Sequence, residues 1–196
     1  MAAMPTPDVR TATPTEIDQC VATIVLAFSG DPAARWVFAD PHLYFDIFPR
    51  FVRTFGGKAF DQGSAHHIDG GAVALWIPPA VQPDEEALMA LIENVVADGD
   101  RESVFGVFEQ MGAFHPAEPH WYLPLIGTDP AQQGKGLGSA LLRHALAVCD
   151  RQKMPAYLEA TTARSARLYQ RHGFEALGTI QVGTSPPLTP MLRRPR

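Results

Sequence analysis

The sequence predicts an α/β or α+β fold in which a mixed central sheet carries helices on both faces. Two observations lead to this prediction. Amphipathic helical patterns alternate with short apolar strand patterns, and a glycine-rich turn joins one strand directly to a long helix. With 196 residues, 46% hydrophobic and 19% charged, the chain is predicted to form one globular domain, residues 1–196, in which residues 1–8 are flexible.

The first helix is predicted to begin at Thr13. Threonine as N-cap, proline at the next position and Glu16 three residues after the cap form a capping box. Apolar residues then recur at helical spacing over residues 17–28, and Gly30 with the following Asp-Pro ends the helix. A second helix, rich in aromatic residues, is predicted over residues 40–55.

The middle of the chain is predicted to hold two strands and a long helical stretch. A weak strand covers residues 66–68, and a stronger one covers residues 72–77, where two prolines stop it. Residues 83–114 fit one or two helices, with a break near the Asp-Gly-Asp of residues 98–100.

The second half of the chain alternates strands with helices. Gly173 is placed to be the residue that ends the last helix in a left-handed conformation. Pro124 falls in the middle of a strand, where a residue without an N–H marks an edge or a bulge unless it is an accidental edge proline. Strands are predicted over residues 120–128, 156–161, 174–183 and 188–192, and helices over residues 137–151 and 163–172.

Composition and charge narrow the classes of partner. A net charge of −5 argues against nucleic acid, and the basic end, residues 193–196, is expected to be a solvated tail. Cys20 and Cys149 are expected to be buried free thiols of a reducing compartment. No signal peptide and no apolar run of about 20 residues is visible, so no membrane partner and a cytoplasmic location are expected.

The most informative segment, residues 128–139, runs from a strand through a turn into a long helix. Such a helix start offers unpaired N–H groups and a positive dipole end to a phosphate, and glycines allow close approach. A P-loop is excluded, because six residues separate Gly127 from Gly134 and a glycine follows Lys135. A dinucleotide fingerprint is excluded by glycine spacing and by the late position in the chain. The alternative is a turn that merely starts a helix.

The spacing that fits is Gln-x-x-Gly-x-Gly, in which Gln133 is followed by Gly136 and Gly138. It resembles the pyrophosphate-binding signature of the GNAT acetyltransferases. Residues 119–123, 133–139 and 155–159 are similar to segments of the puromycin N-acetyltransferase-like subgroup. The resemblance implies a GNAT-type splayed central sheet and acetyl-CoA as co-substrate. The cofactor contacts that it implies are Ile126, Thr128, Gln133, Gly134, Lys135, Gly136, Leu137, Gly138, Ser139 and Ser165.

The same resemblance places the cofactor between two strands. Their splaying leaves a gap in which the pantetheine arm pairs with the backbone of Ile126 and Thr128 on the first strand. Ser165 is a departure, because this helix often carries Asn at that position in the puromycin-type subgroup, so its contact with the cofactor is in doubt.

Two residues are candidates for proton transfer. Tyr169 matches the family's tyrosine that protonates the leaving coenzyme A thiolate; the alternative is a core tyrosine. Glu159 is the best candidate for the base, because strand alternation puts it on the face opposite Leu158, toward the cleft; the alternative is a structural carboxylate. His115 and His120 are weaker candidates.

An acceptor pocket is expected from an aromatic surface beside one carboxylate, which would suit a cationic, partly apolar small molecule; these aromatics could equally belong to the core. Metal-ligand spacing and the hydrolase elbow Gly-x-Ser-x-Gly are both absent from the sequence, so no metal and no hydrolase is expected. The residues of the expected pocket are Asp31, Trp36, Phe38, Tyr44 and Phe45.

The sequence therefore predicts an N-acetyltransferase that moves acetyl from acetyl-CoA to a primary amine of a small molecule in a ternary complex. One alternative within the class is a protein or peptide N-terminus as acceptor. The alternative from another class is a coenzyme A-binding regulatory or sensor domain without turnover. Self-association as a homodimer is left open.

Overall fold

A seven-stranded mixed sheet forms the centre of the computed structural model, which describes residues 7–196. Most of the expected flexible segment 1–8 therefore lies outside the described residues. The strands are β1 (Arg10–Thr11), β2 (Ala65–Ile68), β3 (Ala72–Ile77), β4 (Trp121–Thr128), β5 (Ala156–Ala160), β6 (Glu175–Ala176) and β7 (Thr189–Arg193). They lie in the order β1-β2-β3-β4-β5-β7-β6, and all neighbours pair antiparallel except β4 and β5, which are parallel.

Helices cover both faces of this sheet, so the predicted fold class is confirmed. They are α1 (Ile17–Phe28), α2 (Pro32–Val37), α3 (Pro41–Gly56), α4 (Lys58–Asp61), α5 (Glu85–Glu93), α6 (Asp98–Phe114), α7 (Leu137–Gln152) and α8 (Ala163–Arg171). Alternation along β3 sends Val73 and Leu75 into the core under α1, α3 and α5, and Ala74 and Trp76 into the core under α7.

The capping box at the start of α1 is confirmed: the Thr13 backbone N–H donates to Glu16 Oε2 at 2.9 Å, and a 3₁₀ turn precedes the helix. Asp31 caps α2 with its own side chain, because its Oδ1 accepts the backbone N–H groups of Ala33 at 2.9 Å and Ala34 at 3.1 Å. The sequence did not predict α2 or α4, since helices of six and four residues are too short to show a period.

Two predicted elements differ in the structure. The break within residues 83–114 falls at residues 94–97, because the acidic residues of 98–100 form the first turn of α6, where they meet the positive end of the helix dipole. Residues 174–183 form only the short β6 and one bridge from Ile180 to Leu188, since the chain then turns at Gly183, whose φ is +56°.

The prediction of a solvated C-terminal tail is wrong for Arg193. Arg193 is only 4% exposed, and its guanidinium donates to both carboxylate oxygens of Asp150, at 2.8 and 2.9 Å. Pairing of β7 with β5 turns the side chain toward α7, and the two-point ion pair offsets the cost of burying the charge. Cys20 and Cys149 are free and buried, as predicted.

None of the helices within residues 7–196 is both long enough and apolar enough to cross a membrane.

Candidate active site

A cavity of about 680 Å³ opens where β4 and β5 separate. The two strands pair only at Trp121 with Ala156 and at Tyr122 with Tyr157, and beyond these pairs they diverge. The loop after α1, the second half of β4, the start of α7 and one face of α8 line the cavity. The splayed sheet that the resemblance implied is therefore present.

The divergence begins at a β-bulge in β4. Ile77 is opposite Tyr122 whereas Leu75 is opposite Leu125, so β4 contains one residue more than β3 over this interval. Pro124 lies within the bulge and has no N–H to donate to a neighbouring strand. The mid-strand proline therefore marks both a bulge and the start of an open edge.

The open edge of β4 presents backbone groups to the cavity. The N–H of Asp129 donates to the carbonyl oxygen of Gly71 at 2.9 Å, so this residue points toward β3. Because backbone direction alternates along a strand, Ile126 and Thr128 point the other way, where β5 no longer offers partners. Both residues line the cavity.

The glycine-rich turn leads into α7 and forms the other end of the cavity. Gly134 and Gly136 have φ of +80° and +78°, and a Cβ on either residue would meet no protein atom within 4 Å. The first hydrogen bond of the helix runs from the N–H of Ala140 to the carbonyl of Gly136, so the preceding three N–H groups, residues 137–139, have no partner within the helix. These free N–H groups and the open space beside the two glycines form a cradle for an anion. A side chain in place of either glycine would fill that space.

Two arginines that the sequence analysis did not name line the same cavity. Arg164 donates from Nη1 to Gln133 Oε1 at 3.0 Å, and Arg171 lies seven residues later on the same face of α8. The seven-residue separation of the two arginines is visible in the sequence and indicates that they share a helix face. Only the folded structure shows that this face of α8 lies beside the glycine-rich turn. Both cations complement a bound phosphate, so the turn and α8 together fit a pyrophosphate.

All the predicted cofactor contacts line the cavity except Lys135. The exposed Lys135 donates instead from Nζ to Gln132 Oε1 at 2.6 Å. Ser165 lines the cavity, but its hydroxyl is part of the N-terminal cap of α8, where it donates to the carbonyl of Thr162 at 2.9 Å. The lining residues from the prediction are Ile126, Thr128, Gln133, Gly134, Gly136, Leu137, Gly138, Ser139 and Ser165.

Both candidates for proton transfer line the cavity. Tyr169 is buried on α8, and its ring packs edge-on against Phe174 with centroids 6.0 Å apart. Burial, with a further contribution from Asp31, raises the pKa of the Tyr169 hydroxyl above its ordinary value. Its hydroxyl therefore carries a proton at neutral pH.

Glu159 is the buried carboxyl of the site, with its side chain 4% exposed. Tyr122 donates its hydroxyl to Glu159 Oε2 at 3.0 Å, while Glu159 Oε1 has no hydrogen-bond partner. Burial raises the pKa of Glu159 to about 7, and the hydrogen bond from Tyr122 opposes part of that rise. Leu158 packs in the opposite core, as strand alternation predicted.

Two histidines extend from Glu159 toward the surface. His120 Nδ1 donates to the carbonyl oxygen of Glu118 at 2.8 Å, and its Nε2 lies 3.3 Å from His115 Nδ1. The other ring nitrogen of His115, Nε2, lies 3.6 Å from Glu159 Oε1, which is beyond hydrogen-bond distance. Burial, with a contribution from His120, lowers the pKa of His115 to about 4, so this ring is neutral at pH 7.

A second, apolar cavity of about 100 Å³ joins the first; we call it the side chamber. Two residues of the expected acceptor pocket, Trp36 and Phe38, line it. The expectation is wrong for Tyr44, a core residue whose hydroxyl donates to the Val25 carbonyl at 2.6 Å, and for Phe45, which is 62% exposed. The residues that line both cavities are Phe28, Asp31, Pro124, Glu159 and Thr161.

Within residues 7–196 we find no cluster of three or more His, Cys, Asp or Glu side chains placed to hold a metal ion.

This chain is similar to known proteins in both sequence and fold. Residues 93–176 match the family model of the acetyltransferase (GNAT) domain. The chain is 30% identical over 201 residues to an uncharacterised N-acetyltransferase of Schizosaccharomyces pombe, an alignment that covers 90% of this chain and 79% of the relative.

Solved structures of acetyltransferases have a similar fold. One described as histone acetyltransferase HPA2 and related acetyltransferase from Corynebacterium glutamicum has 29% identity and a TM-score of 0.67, covering 97% of each chain. An arylalkylamine N-acetyltransferase 2 from Aedes aegypti, with a TM-score of 0.68 over 96% of this chain and 99% of that one, is 15% identical and shares the fold alone.

Proposed function

The chain belongs to the GNAT family of N-acetyltransferases, and from that premise we propose that it moves the acetyl group of acetyl-CoA to the primary amine of a small molecule. The observation that carries this proposal is one continuous cavity with an anion cradle at one end and a buried acid and base, Tyr169 and Glu159, at the other. The puromycin-like subgroup and a cytoplasmic location stay predictions.

Acetyl-CoA supplies an acetyl group already activated as a thioester. We assign its pyrophosphate to the N–H groups at the start of α7, with Arg164 and Arg171 adding positive charge. We assign its pantetheine amides to the open edge of β4, where the backbone of Ile126 and Thr128 offers the hydrogen bonds that β5 does not take.

Two proton transfers balance the reaction. Glu159 accepts the proton that the amine loses as its nitrogen bonds to the acetyl carbon, and a carboxyl with a pKa of about 7 suits that task near neutral pH. Tyr169 donates its hydroxyl proton to the sulfur as the C–S bond breaks.

Direct attack in a ternary complex is favoured over a covalent enzyme intermediate. Neither of the two cysteines, Cys20 and Cys149, lines the cavity formed by the described residues. Burial raises the pKa of these thiols to about 11 and about 12, so neither is a thiolate at neutral pH.

Two alternatives make different demands on the site. A regulatory coenzyme A-binding domain has no need of a buried carboxyl with a raised pKa beside a buried tyrosine. A protein or peptide N-terminus as acceptor carries a long chain with it, whereas the side chamber beside Glu159 is small, at about 100 Å³, and apolar. The first feature favours an enzyme over a regulatory domain, and the second favours a small-molecule acceptor.

The test is a screen of primary amines with acetyl-CoA, in which release of free thiol is followed and products are identified by mass spectrometry. Binding of acetyl-CoA is measured separately by calorimetry. We expect micromolar to millimolar binding and thiol release that depends on the amine. Binding without amine-stimulated release by any amine would identify the regulatory alternative instead.

We expect Glu159→Gln to remove the pH dependence of turnover near neutrality. In the parent, kcat at saturating amine should rise with pH through a limb near 7, because only the ionised carboxylate accepts a proton. The amide keeps the hydrogen bond from Tyr122 but cannot act as a base. The kcat of the variant should therefore fall at least about tenfold at pH 8, and it should no longer rise with pH near 7. An unchanged limb would assign the base to another group.

The same variant should be more stable than the parent at high pH. Because burial raises the folded-state pKa of Glu159 from 4.5 to about 7, the folded chain binds this proton more tightly than the unfolded chain does. Parent stability therefore decreases as pH rises across that window, by up to about 3 kcal/mol, and the Glu159→Gln variant avoids this loss because its amide carries no charge. Thermal melts of both proteins at pH 5 and pH 8 measure the difference.

A further inference from the structure

The side chamber is walled by hydrocarbon. It lies between α2, α3 and α6, and Pro186 and Leu188 also line it. Aromatic rings from α3 and α6, such as Phe51 and Phe108, face aliphatic side chains such as Val107 and Met111. Trp36 brings the one ring N–H to these walls, and it donates to Thr184 Oγ1 at 3.3 Å.

Charge is confined to the mouth, where the side chamber meets the main cavity. Among the described residues that line the chamber, the charged ones are Asp31 and Glu159, both acidic and both facing the main cavity as well. Each is held in place: Asp31 accepts two backbone N–H groups and the hydroxyl of Thr161, and Glu159 accepts the hydroxyl of Tyr122. A ligand that fits therefore has a cationic end at the mouth and an uncharged end inside.

From this arrangement we propose that the acceptor is a monoamine whose nitrogen lies between Asp31 and Glu159 and whose other end is a compact hydrocarbon group in the side chamber. This inference rests on the proposed function, since it names the substrate class of that site. A cavity of about 150 Å³ holds benzene. The side chamber, at about 100 Å³, is two thirds of that size and fits a group of roughly four carbons.

The side chamber excludes a second charge for a physical reason. A primary ammonium has three N–H donors that need acceptors, and an unpaired charge is costly to bury. Away from the mouth, the described lining offers aromatic faces, which attract a cation but accept no strong hydrogen bonds. A diamine of the same length should therefore be a poor acceptor.

Pentylamine and putrescine form the matched pair for the first experiment. They have the same length, and they differ in that a methyl group of one is an ammonium in the other. We expect the kcat/KM of pentylamine, from thiol release, to exceed that of putrescine at least about tenfold. Equal values, or a preference for putrescine, would overturn the monoamine inference while leaving the acetyltransferase proposal intact. No release with either amine, or with the wider amine panel, despite binding of acetyl-CoA, would refute both.

Ala33→Leu tests the location. Ala33 lines the side chamber, and the longer side chain would occupy most of its volume while keeping the backbone N–H that Asp31 accepts. We expect kcat/KM for pentylamine to fall at least about tenfold, the Kd of acetyl-CoA to stay the same, and turnover of methylamine, too short to enter the chamber, to change less than about threefold.

Ala39→Leu is the matched control, because Ala39 is exposed and does not line the side chamber. It should leave the kcat/KM of all three amines unchanged. If Ala33→Leu lowered methylamine and pentylamine turnover equally, or lowered neither, the hydrocarbon end would lie elsewhere and the inference would fail.

Discussion

Replacing Tyr169 by phenylalanine is expected to lower kcat by about 10²–10⁴-fold, with a much smaller change in the KM for acetyl-CoA. The hydroxyl acts on negative charge that appears only as the C–S bond breaks, so its loss affects the transition state more than ground-state binding. Because burial raises the pKa of Tyr169, the hydroxyl is fully protonated at neutral pH and available as the acid. The measurement is steady-state thiol release with an accepted amine.

Tyr44→Phe provides the matched control for this prediction. Tyr44 is a fully buried tyrosine of the core, and its hydroxyl donates to the Val25 carbonyl rather than facing the cavity. Its loss should destabilise the protein by about 1 kcal/mol or somewhat more and leave kcat near the parent value. The Tyr169 variant should show the reverse, with stability within about 1.5 kcal/mol of the parent. A Tyr169 variant with kcat within about threefold of the parent would remove this residue from the mechanism.

Gly136→Asp is expected to abolish binding of acetyl-CoA, with a loss of at least about 100-fold in affinity. The backbone of Gly136 is left-handed, with φ of +78°, and its missing side chain leaves open space at the start of α7. A side chain there would occupy the anion cradle, and a carboxylate would also repel phosphate. The residue is exposed, so the fold should survive. Calorimetric titration measures the affinity, and circular dichroism checks the fold.

Gly136→Asn separates the effect of charge from the effects of size and backbone strain. Asparagine matches aspartate in shape and tolerates the left-handed region, so both variants carry the same bulk. We expect Gly136→Asn to weaken binding less than Gly136→Asp, and the gap between them to narrow at high salt. Parent-like affinity in the aspartate variant would show that the turn does not hold the cofactor.

Local patterns in the sequence were enough to predict the framework of the site. Fixed spacing identified the turn at Gln133, Gly136 and Gly138, because the start of a helix and its left-handed glycines depend on neighbours within a few residues. Alternation along one strand placed Glu159 opposite Leu158 for the same reason. The mid-strand Pro124 indicated the break in pairing, since a residue without an N–H cannot continue a ladder.

Contacts between distant segments were decided only by the tertiary structure. Asp31 meets Thr161 across 130 positions, and His115 reaches Glu159 from the end of another helix. The sequence grouped Phe45 with Trp36 as an aromatic surface, yet the packing of α3 turns Phe45 to solvent.

Hydropathy and spacing thus determined most of the long helices and strands and where a phosphate could bind, but not the short helices α2 and α4. Pocket walls come instead from helices that are distant in sequence and meet only in the tertiary structure, and no local period encodes which side chains meet there. The pKa of Glu159 depends on the same assembly, because its rise comes from desolvation by residues far away in sequence.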